Sequence, residues 1–265
     1  MFDDDPERLN ETLYTQPALF AYQTALHALL VEWGITPHFL VGHSLGELTA
    51  AYTSGTLSLA DASALVTARA RAMHDTPAGA MAAINAAADE ITLPDGVSIA
   101  AINTARSTVI SGPRDAVQEI VQHWKDQGRR TRLLTTNRAF HSSLMEQAVE
   151  PLTEAARGIT HQPATIPVIS NLTGQPAEHT PGYWARHLLG TVNYHKAVQY
   201  LDQQGVTTYI EIGPDATLTA LTGDTASGTT VALQNPKQPQ STALLTGVTR
   251  SEEHTSELQS PIHIS

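Results

Sequence analysis

The sequence predicts an α/β protein in which a region of parallel sheet is interrupted by a smaller region of different texture. At residues 39–41 a short apolar strand pattern runs directly into a Gly-x-Ser-x-Gly turn and then a helical pattern, the order that builds parallel sheets. From Gly79 to about residue 137 the pattern changes to four short strands and one amphipathic helix. The 265 residues are 41% apolar and lack cysteine, so we expect one large core with an insert, without disulfides or a thiol nucleophile.

The helices in the first part of the chain carry start and stop signals. A helix is predicted from Pro17 through Trp33, with proline near its start and Gly34 just past its end. Ser58 and Asp61 form a variant capping box that opens a second helix, which runs through Met73. The later predicted elements are helices at 113–127 and from Ser142, and strands at 80–84, 97–102, 108–111, 132–135, 166–171 and 208–212.

Ser44 is the first candidate catalytic residue. A sharp strand-to-helix turn would direct its side chain outward, and the flanking Gly42 and Gly46 let the backbone bend without Cβ clashes. The N–H groups at the start of the following helix would then point towards whatever is bound to Ser44. This arrangement is typical of a nucleophilic serine. A tight turn with an incidental serine is the alternative, because short matches of this kind are common.

Arg69 is the second candidate, because it lies within an apolar stripe. It falls three residues after Val66 and four before Met73, whereas Arg71 points about 200° away and is expected to be solvated. A buried guanidinium needs an anionic partner. The spacing leaves two interpretations open: an internal ion pair, which it slightly favours, or a bidentate site for a substrate carboxylate.

His141 is the third candidate. It follows a strand-like segment at 132–134 and precedes a predicted helix, which is a suitable place at the mouth of a pocket for a general base. Periodicity alone does not favour it over three other histidines in similar surroundings, His43, His187 and His195.

Five motifs together resemble those of one family, in the family's order. They are residues 14–21, 42–47, 65–73, 139–142 and 211–214. The resemblance is to the malonyl-type acyltransferase domain of modular polyketide synthases, a relative of malonyl-CoA:acyl-carrier-protein transacylases, and it covers about residue 8 to about 249. It implies an α/β-hydrolase-like large subdomain with a parallel sheet and an inserted ferredoxin-like small subdomain, with Ser44 and His141 in the cleft between them.

The resemblance also implies a role for each site residue. Ser44 would attack the thioester of malonyl-CoA, with His141 as general base and Arg69 pairing with the malonyl carboxylate. The phosphopantetheine thiol of an acyl carrier protein would then take the malonyl group from the serine. Such enzymes orient the histidine through a backbone carbonyl, and the matching position is His187. The remaining substrate-binding positions are His43, Leu45, whose N–H would supply an oxyanion donor, and Phe140.

Residues 14–17, Leu45 and residues 139–141, which include Phe140, resemble those of malonyl-selecting members of the family. Phe140 would fill the space that an α-methyl group needs, so we expect a preference for malonyl over methylmalonyl. One methyl group changes binding by only ~1–3 kcal/mol, so the preference should be incomplete. The departure is Arg138, where the malonyl pattern usually has histidine.

The two ends of the chain depart from the family. Its members begin several dozen residues earlier, with a strand and a Gly-Gln-Gly-type loop that supplies the second oxyanion N–H, so we expect the large sheet to lack a strand. Residues 250–265 resemble the translation of a common sequencing adapter, with an ordinary polar tail as the alternative. The predicted division is a large subdomain at 1–76 and 138–223, a small subdomain at 77–137, the start of a linker at 224–249 and a non-native tail at 250–265.

Composition excludes several classes of function. The net charge of −11 argues against binding to nucleic acid or to an anionic membrane. No apolar run approaches the ~20 residues that span a bilayer, so we expect a cytoplasmic protein. No bound cofactor or metal is implied, and the expected partners are an acyl carrier protein, a ketosynthase and other polyketide synthase domains.

Two alternatives to malonyl transfer remain. One is a serine hydrolase or thioesterase built on the same Ser44 turn, since a fold does not fix a function. Arg69 in its apolar stripe and the lack of an acid before His141 argue against it. The other is an inactive truncated polypeptide, because losing a central strand would remove more than the ~5–15 kcal/mol of typical net stability.

Overall fold

The computed structural model describes residues 8–235, 237–255 and 262–264. These residues divide into two compact units, each discontinuous in sequence. The first contains the described residues of Met1–Ala18, Ser63–Ile159 and His179–Tyr194, and the second contains those of Leu19–Ala62, Thr160–Glu178 and His195–Ser265. Among the helices described, none is both long and apolar enough to cross a membrane.

The predicted helices are present with two differences, an early start of the first and a different start of the one predicted from Ser142. The latter begins as a 3-10 helix, Ser143–Ala148, and becomes α-helical at Val149–Arg157. The first helix begins at Thr12 rather than near Pro17, because the carbonyl of Glu11 accepts the N–H groups of Tyr14 and Thr15 and so opens the helix sooner. Pro17 therefore costs this helix one internal hydrogen bond. The α-helices are α1 (Thr12–Glu32), α2 (Leu45–Thr53), α3 (Leu59–His74), α4 (Arg114–Asp126), α5 (Val149–Arg157), α6 (Pro181–Leu189), α7 (Tyr194–Gln203), α8 (Thr217–Gly223) and α9 (Gln240–Thr255).

The strands form two separate sheets, and every strand expected from the sequence is found. The capping box is also present, since the Ser58 hydroxyl accepts the N–H of Asp61 at 3.0 Å. The strands are β1 (Leu40–Gly42), β2 (Ala80–Ile84), β3 (Ser98–Thr104), β4 (Ser107–Gly112), β5 (Thr131–Leu133), β6 (Val168–Ile169), β7 (Thr208–Ile212), β8 (Thr229–Ala232) and β9 (Ile262–Ile264).

The sheet of the second unit is parallel, with the order β6-β1-β9-β7-β8. Every residue of β1, β6 and β7 is buried, as expected for a parallel sheet covered on both faces. The register pairs Leu40 with Val168 and Val41 with Ile169. The carboxyl ends of β1 and β6 therefore meet at one edge, where the Ser44 turn begins.

The gap expected in this sheet is occupied by β9. Ile262 pairs in parallel with Leu40 of β1 on one side and with Ile210 of β7 on the other. The sheet of the described residues is therefore continuous at this position, because a short β-branched segment pairs on both sides. The absence of the family's N-terminal strand stays a prediction. Of the predicted tail at 250–265, residues 250–255 complete α9 and 262–264 form β9, while 256–261 and 265 lie outside the described residues. Residues 1–7 lie outside them too.

The predicted linker at 224–249 is also wrong, because this segment is part of the fold. Within it, β8 pairs with β7 from Thr208↔Thr229 to Glu211↔Ala232, and α9 follows. Val231 and Leu233 are buried in the core of the second unit, and Val248 packs against them. The polar composition obscured this short apolar pattern.

The sheet of the first unit is antiparallel, with the order β3-β4-β2-β5. Taken in chain order, the strands are arranged 2-3-1-4, which is the ferredoxin-like arrangement expected. The helix α4 packs on this sheet, and a short 3-10 helix at Ala88–Glu90 lies between β2 and β3. The apolar residues that α4 buries are Val117, Ile120, Val121 and Trp124.

The first unit extends beyond the predicted small subdomain of 77–137. Main-chain bonding explains part of the difference. The N–H of Ile102 donates to the carbonyl of Val192, and the N–H of Val192 donates to the carbonyl of Ala100, both at 2.9 Å. These bonds attach the segment after α6 to β3. A β-bridge between Ala78 and Arg138 joins the two ends of the predicted small subdomain.

Candidate active site

The turn between β1 and α2 is tight and places Ser44 at a positive φ. Ser44 has φ 52° and ψ −110°, and its residue is half-buried. A Cβ at Gly42 would lie 2.1 Å from the backbone nitrogen of Glu47, a distance no side chain tolerates. Glycine is therefore required at position 42, because the first turn of α2 passes directly over it.

Asn171 holds this turn from the neighbouring strand. Its Oδ1 accepts the N–H of Ser44 at 2.7 Å, and its Nδ2 donates to the carbonyl of Gly42 at 2.6 Å. The N–H of Asn171 donates to the carboxylate of Glu47 at 2.7 Å. Asn171 and Glu47 are both buried, so the turn is fixed by hydrogen bonds that water does not reach.

The amide of Leu45 is the first N–H of α2. The N–H groups of Gly46 and Glu47 donate to the carbonyls of His43 and Ser44. In the first turn of a helix, N–H groups lack an intrahelical partner. The side chain of Leu45 is buried and His43 is half-buried. The polar group that Leu45 contributes beside Ser44 is its backbone N–H.

His141 also lies at a positive φ, 58°, and it is 4% exposed. Its Nδ1 is 2.9 Å from the carbonyl oxygen of Gly190. Because a carbonyl only accepts, Nδ1 carries the hydrogen, and in the neutral ring Nε2 keeps its lone pair. This is the protonation pattern that a general base needs.

The carbonyl that accepts the hydrogen bond from His141 belongs to Gly190. The resemblance to the family had implied that it would belong to His187. Gly190 ends α6 with ψ 154°, which turns its carbonyl away from the helix axis, whereas His187 is inside the last turn. His187 is 1% exposed, and its ring meets that of His141 edge to face, with centroids 6.2 Å apart. His187 therefore packs against the ring of His141.

Arg69 is 2% exposed, within the apolar stripe expected for α3. Its Nη1 donates to Oε1 of Gln16 at 2.5 Å. Burial lowers the pKa of Arg69 to about 10, which leaves the guanidinium charged at neutral pH. Gln16 is a neutral amide, so this contact orients the guanidinium without neutralising it. Arg71 is exposed, as predicted.

The segment before His141 is tied to α3. Arg138 donates from Nε and Nη2 to the carbonyl of His74, at 3.0 and 2.6 Å, so its charge lies at the C-terminal end of α3. Phe140 is half-buried. The structure thus groups Arg69, Phe140, His141 and His187 within the first unit, and His43, Ser44 and Leu45 within the second. His195 contacts Thr225 in the second unit, at 3.0 Å.

Sequence reasoning missed three residues of these arrangements: Gln16, Asn171 and Gly190. Asn171 is the last residue of the predicted strand 166–171, and polar side chains at the carboxyl end of a parallel strand merit attention. Gln16 lies on the face of α1 that meets Arg69. No pattern in the chain identifies the carbonyl of Gly190, since every residue has one.

Comparisons with known proteins agree on one family. The model of the acyl transferase domain matches residues 2–259. A spectinabilin polyketide synthase system protein of Streptomyces orinoci is 44% identical over 227 residues, which is 82% of this chain and 10% of that protein. The chain therefore spans about a tenth of the length of such a relative.

Solved structures agree. The acyltransferase domain from the second module of the salinomycin polyketide synthase has a TM-score of 0.93 and 36% identity, over 97% of this chain and 63% of that one. The malonyl CoA-acyl carrier protein transacylase of Coxiella burnetii has a TM-score of 0.83 and 28% identity, over 92% of this chain and 81% of that one. The chain belongs to the acyl transferase domain family and has the fold of an acyltransferase.

Proposed function

We propose that the chain transfers a malonyl group from malonyl-CoA to the phosphopantetheine thiol of an acyl carrier protein, in the cytoplasm, in polyketide or fatty acid biosynthesis. The observation that carries malonyl transfer, rather than simple acyl transfer or hydrolysis, is the buried and charged Arg69. A guanidinium that has been removed from water is strongly favoured by a ligand that brings a carboxylate.

In the first half-reaction, the Oγ of Ser44 attacks the thioester carbonyl carbon of malonyl-CoA. The Nε2 of His141 takes the serine proton and returns it to the CoA sulfur as the C–S bond breaks, leaving malonyl-serine. The support for these roles is the Nδ1–H bond of His141 to Gly190, which leaves Nε2 with its lone pair. The second half-reaction runs the same steps in reverse with the carrier-protein thiol.

The backbone N–H of Leu45 is the proposed oxyanion donor. It opens α2 immediately after Ser44, so it would face the oxygen that becomes negative when the serine attacks. Such a donor is typically worth roughly 2.7–4 kcal/mol of barrier. The positive end of α2 adds to the same effect.

The acyl group is selected at two positions in this proposal. Arg69 would bind the free malonyl carboxylate through two parallel N–H donors, a contact that an acetyl group cannot make. Phe140 would exclude the α-methyl group of methylmalonyl, by ~1–3 kcal/mol. The remaining polyketide synthase domains, including a ketosynthase, are proposed as partners in the same assembly.

The test is intact-mass spectrometry of the chain after incubation with malonyl-CoA. We expect a malonyl adduct that disappears in Ser44→Ala, weakens in Arg69→Ala and forms more slowly with methylmalonyl-CoA. A label that passes to water faster than to carrier protein would favour a hydrolase instead. No adduct from a folded chain would contradict the proposal, and faster acylation with methylmalonyl-CoA would contradict only the role of Phe140.

A further inference from the structure

Asn171 makes three hydrogen bonds to the turn that carries Ser44, and the proposed mechanism does not use it. Its side chain contacts both ends of the sharp bend, the carbonyl of Gly42 and the N–H of Ser44. Its own N–H donates to Glu47 in the first turn of α2. One buried residue therefore contacts the strand end, the nucleophile and the helix start.

The placement of Asn171 follows from the parallel pairing of β1 and β6. Val41 is opposite Ile169, so the chain leaves both strands at the same edge of the sheet. Asn171 lies two residues past the end of β6, where its side chain contacts the turn. An amide there can donate and accept at once, which matches the carbonyl of Gly42 and the N–H of Ser44, two groups of opposite kind.

The bend itself is unfavourable for a residue with a side chain. Ser44 has φ 52° and ψ −110°, and a non-glycine residue in such a region costs about 1–3 kcal/mol, which the surroundings must offset. The bond from the N–H of Ser44 to Asn171 exists only while this conformation is kept. Asn171 therefore stabilises the particular backbone geometry that directs the serine side chain outward.

We propose that Asn171 is a positioning residue for the nucleophile, an inference that rests on the role of Ser44 proposed above. It keeps the Oγ of Ser44 at the angle from which it attacks a thioester carbonyl, without contacting the acyl group. It also occupies the N–H of Ser44, so that the oxyanion is directed to the next amide, that of Leu45.

The first test is the rate of acylation by malonyl-CoA in Asn171→Ala. Misplacing a reacting group by about 1 Å costs roughly 100-fold in rate, so we expect a drop of about that size in the maximal rate. The half-saturating concentration of malonyl-CoA should change little, because Asn171 binds the turn rather than the substrate. A maximal rate close to that of the unmodified chain would overturn the proposal.

A second variant, Asn171→Asp, separates positioning from general loss of structure. The introduced carboxylate can still accept the N–H of Ser44, but it repels the carbonyl of Gly42 and lies near the carboxylate of Glu47. Once protonated, it can donate to Gly42 again. The ratio of variant to wild-type acylation rates should therefore rise as the pH is lowered, whereas a ratio independent of pH would contradict positioning.

The matched control is Thr49→Val. Thr49 is buried on the same helix and donates to Gln23 at 2.6 Å, so its loss removes one buried hydrogen bond from α2 without touching residues 42–47. We expect lower thermal stability with an unchanged acylation rate. An equal loss of rate in Thr49→Val would show that any weakening of α2 suffices, and would overturn a specific role for Asn171.

A fluorophosphonate probe distinguishes a failure of the role proposed for Ser44 from a failure of the positioning role proposed for Asn171. If the wild-type chain forms neither the malonyl nor the phosphonyl adduct while folded, the role of Ser44 fails and takes the inference with it. If both adducts form on Ser44 at the same rate in Asn171→Ala as in the wild type, only the positioning role fails. We expect both adducts to form slowly in that variant.

Discussion

The turn at Ser44 and the turn at His141 solve the same problem in different ways. Each holds a residue with a side chain at a positive φ, 52° in one and 58° in the other. The Ser44 turn is held by a side chain, because Asn171 binds its backbone. At His141 the ring is held by a backbone carbonyl, that of Gly190.

The difference follows from what each residue must leave free. Serine has one functional atom, Oγ, so the turn has to be fixed through the main chain. Histidine has two ring nitrogens, and one of them can be bound while the other reacts. The histidine ring can therefore be oriented by a hydrogen bond to the nitrogen that does not react. The serine hydroxyl has no such second atom, so its position is set by fixing the backbone that carries it.

The largest effect on acylation is expected from His141→Asn, a substitution at the turn whose side chain is held by a backbone carbonyl. The amide nitrogen of asparagine replaces Nδ1 and can still donate to Gly190, but no atom replaces Nε2. Acylation should fall by about 10²–10⁴-fold, the usual contribution of a general base. Single-turnover acylation across pH provides the measurement, and a variant that kept the wild-type rate would remove His141 from the mechanism.

A pair of glycine variants sharpens the comparison. In Gly42→Ala the new Cβ would lie 2.1 Å from the nitrogen of Glu47, so we expect a loss of roughly 1–3 kcal/mol of stability, and slow acylation. Gly190 has φ −73° and ψ 154°, which any residue adopts. Gly190→Ala keeps the carbonyl that His141 needs, and should fall within about 0.5 kcal/mol of the wild type.

Chemical denaturation and acylation rates measure both glycine variants. We distinguish the Ser44 turn, which requires glycine at position 42 for close packing, from His141, which requires only a main-chain carbonyl at position 190. Equal losses of stability and of acylation rate in Gly42→Ala and Gly190→Ala would contradict that distinction.

A moderate effect, confined to substrate binding, is expected from Gln16→Leu, which tests whether a side-chain partner also matters within the unit that contains His141. Gln16 orients Arg69 without neutralising it. Its loss should raise the half-saturating concentration of malonyl-CoA by about 10-fold, equivalent to the ~1.5 kcal/mol of a hydrogen bond to a charged group. The maximal rate should change little. A fall in rate with unchanged saturation would instead place Gln16 in the chemical step.

Local patterns in the sequence identified most of the fold. The apolar runs at 80–84 and 208–212 are strands because their residues fill a buried sheet, and the stripe through Val66 and Met73 correctly placed Arg69 on the buried face of α3. The segment after residue 224 was misjudged because its few large apolar residues, such as Val231, Leu233 and Val248, are separated by polar residues. Its strand β8 pairs with β7, which lies 21 positions earlier (Thr208↔Thr229), and no pattern within the segment itself specifies that pairing.

The contacts that orient the site could not be predicted from local patterns. Asn171 and Ser44 are 127 positions apart, and His141 and Gly190 are 49 apart. The place of Asn171 at the end of a predicted strand marks it as a residue near the site, but no local pattern shows that it binds Gly42 and Ser44. The boundaries of the two units likewise depend on main-chain bonds such as that between Ile102 and Val192. Such pairings are set by tertiary packing.

The main-chain acceptor of His141 has a consequence for laboratory evolution of acyl selectivity. A library that randomises every codon around the site exchanges the partners of Ser44 and of Arg69, but each of its members still has a carbonyl at position 190. Only an insertion, a deletion or a proline that shifts the end of α6 would displace it. The ring of His141, the proposed general base, therefore keeps its acceptor while such a library alters the residues proposed to select the acyl group.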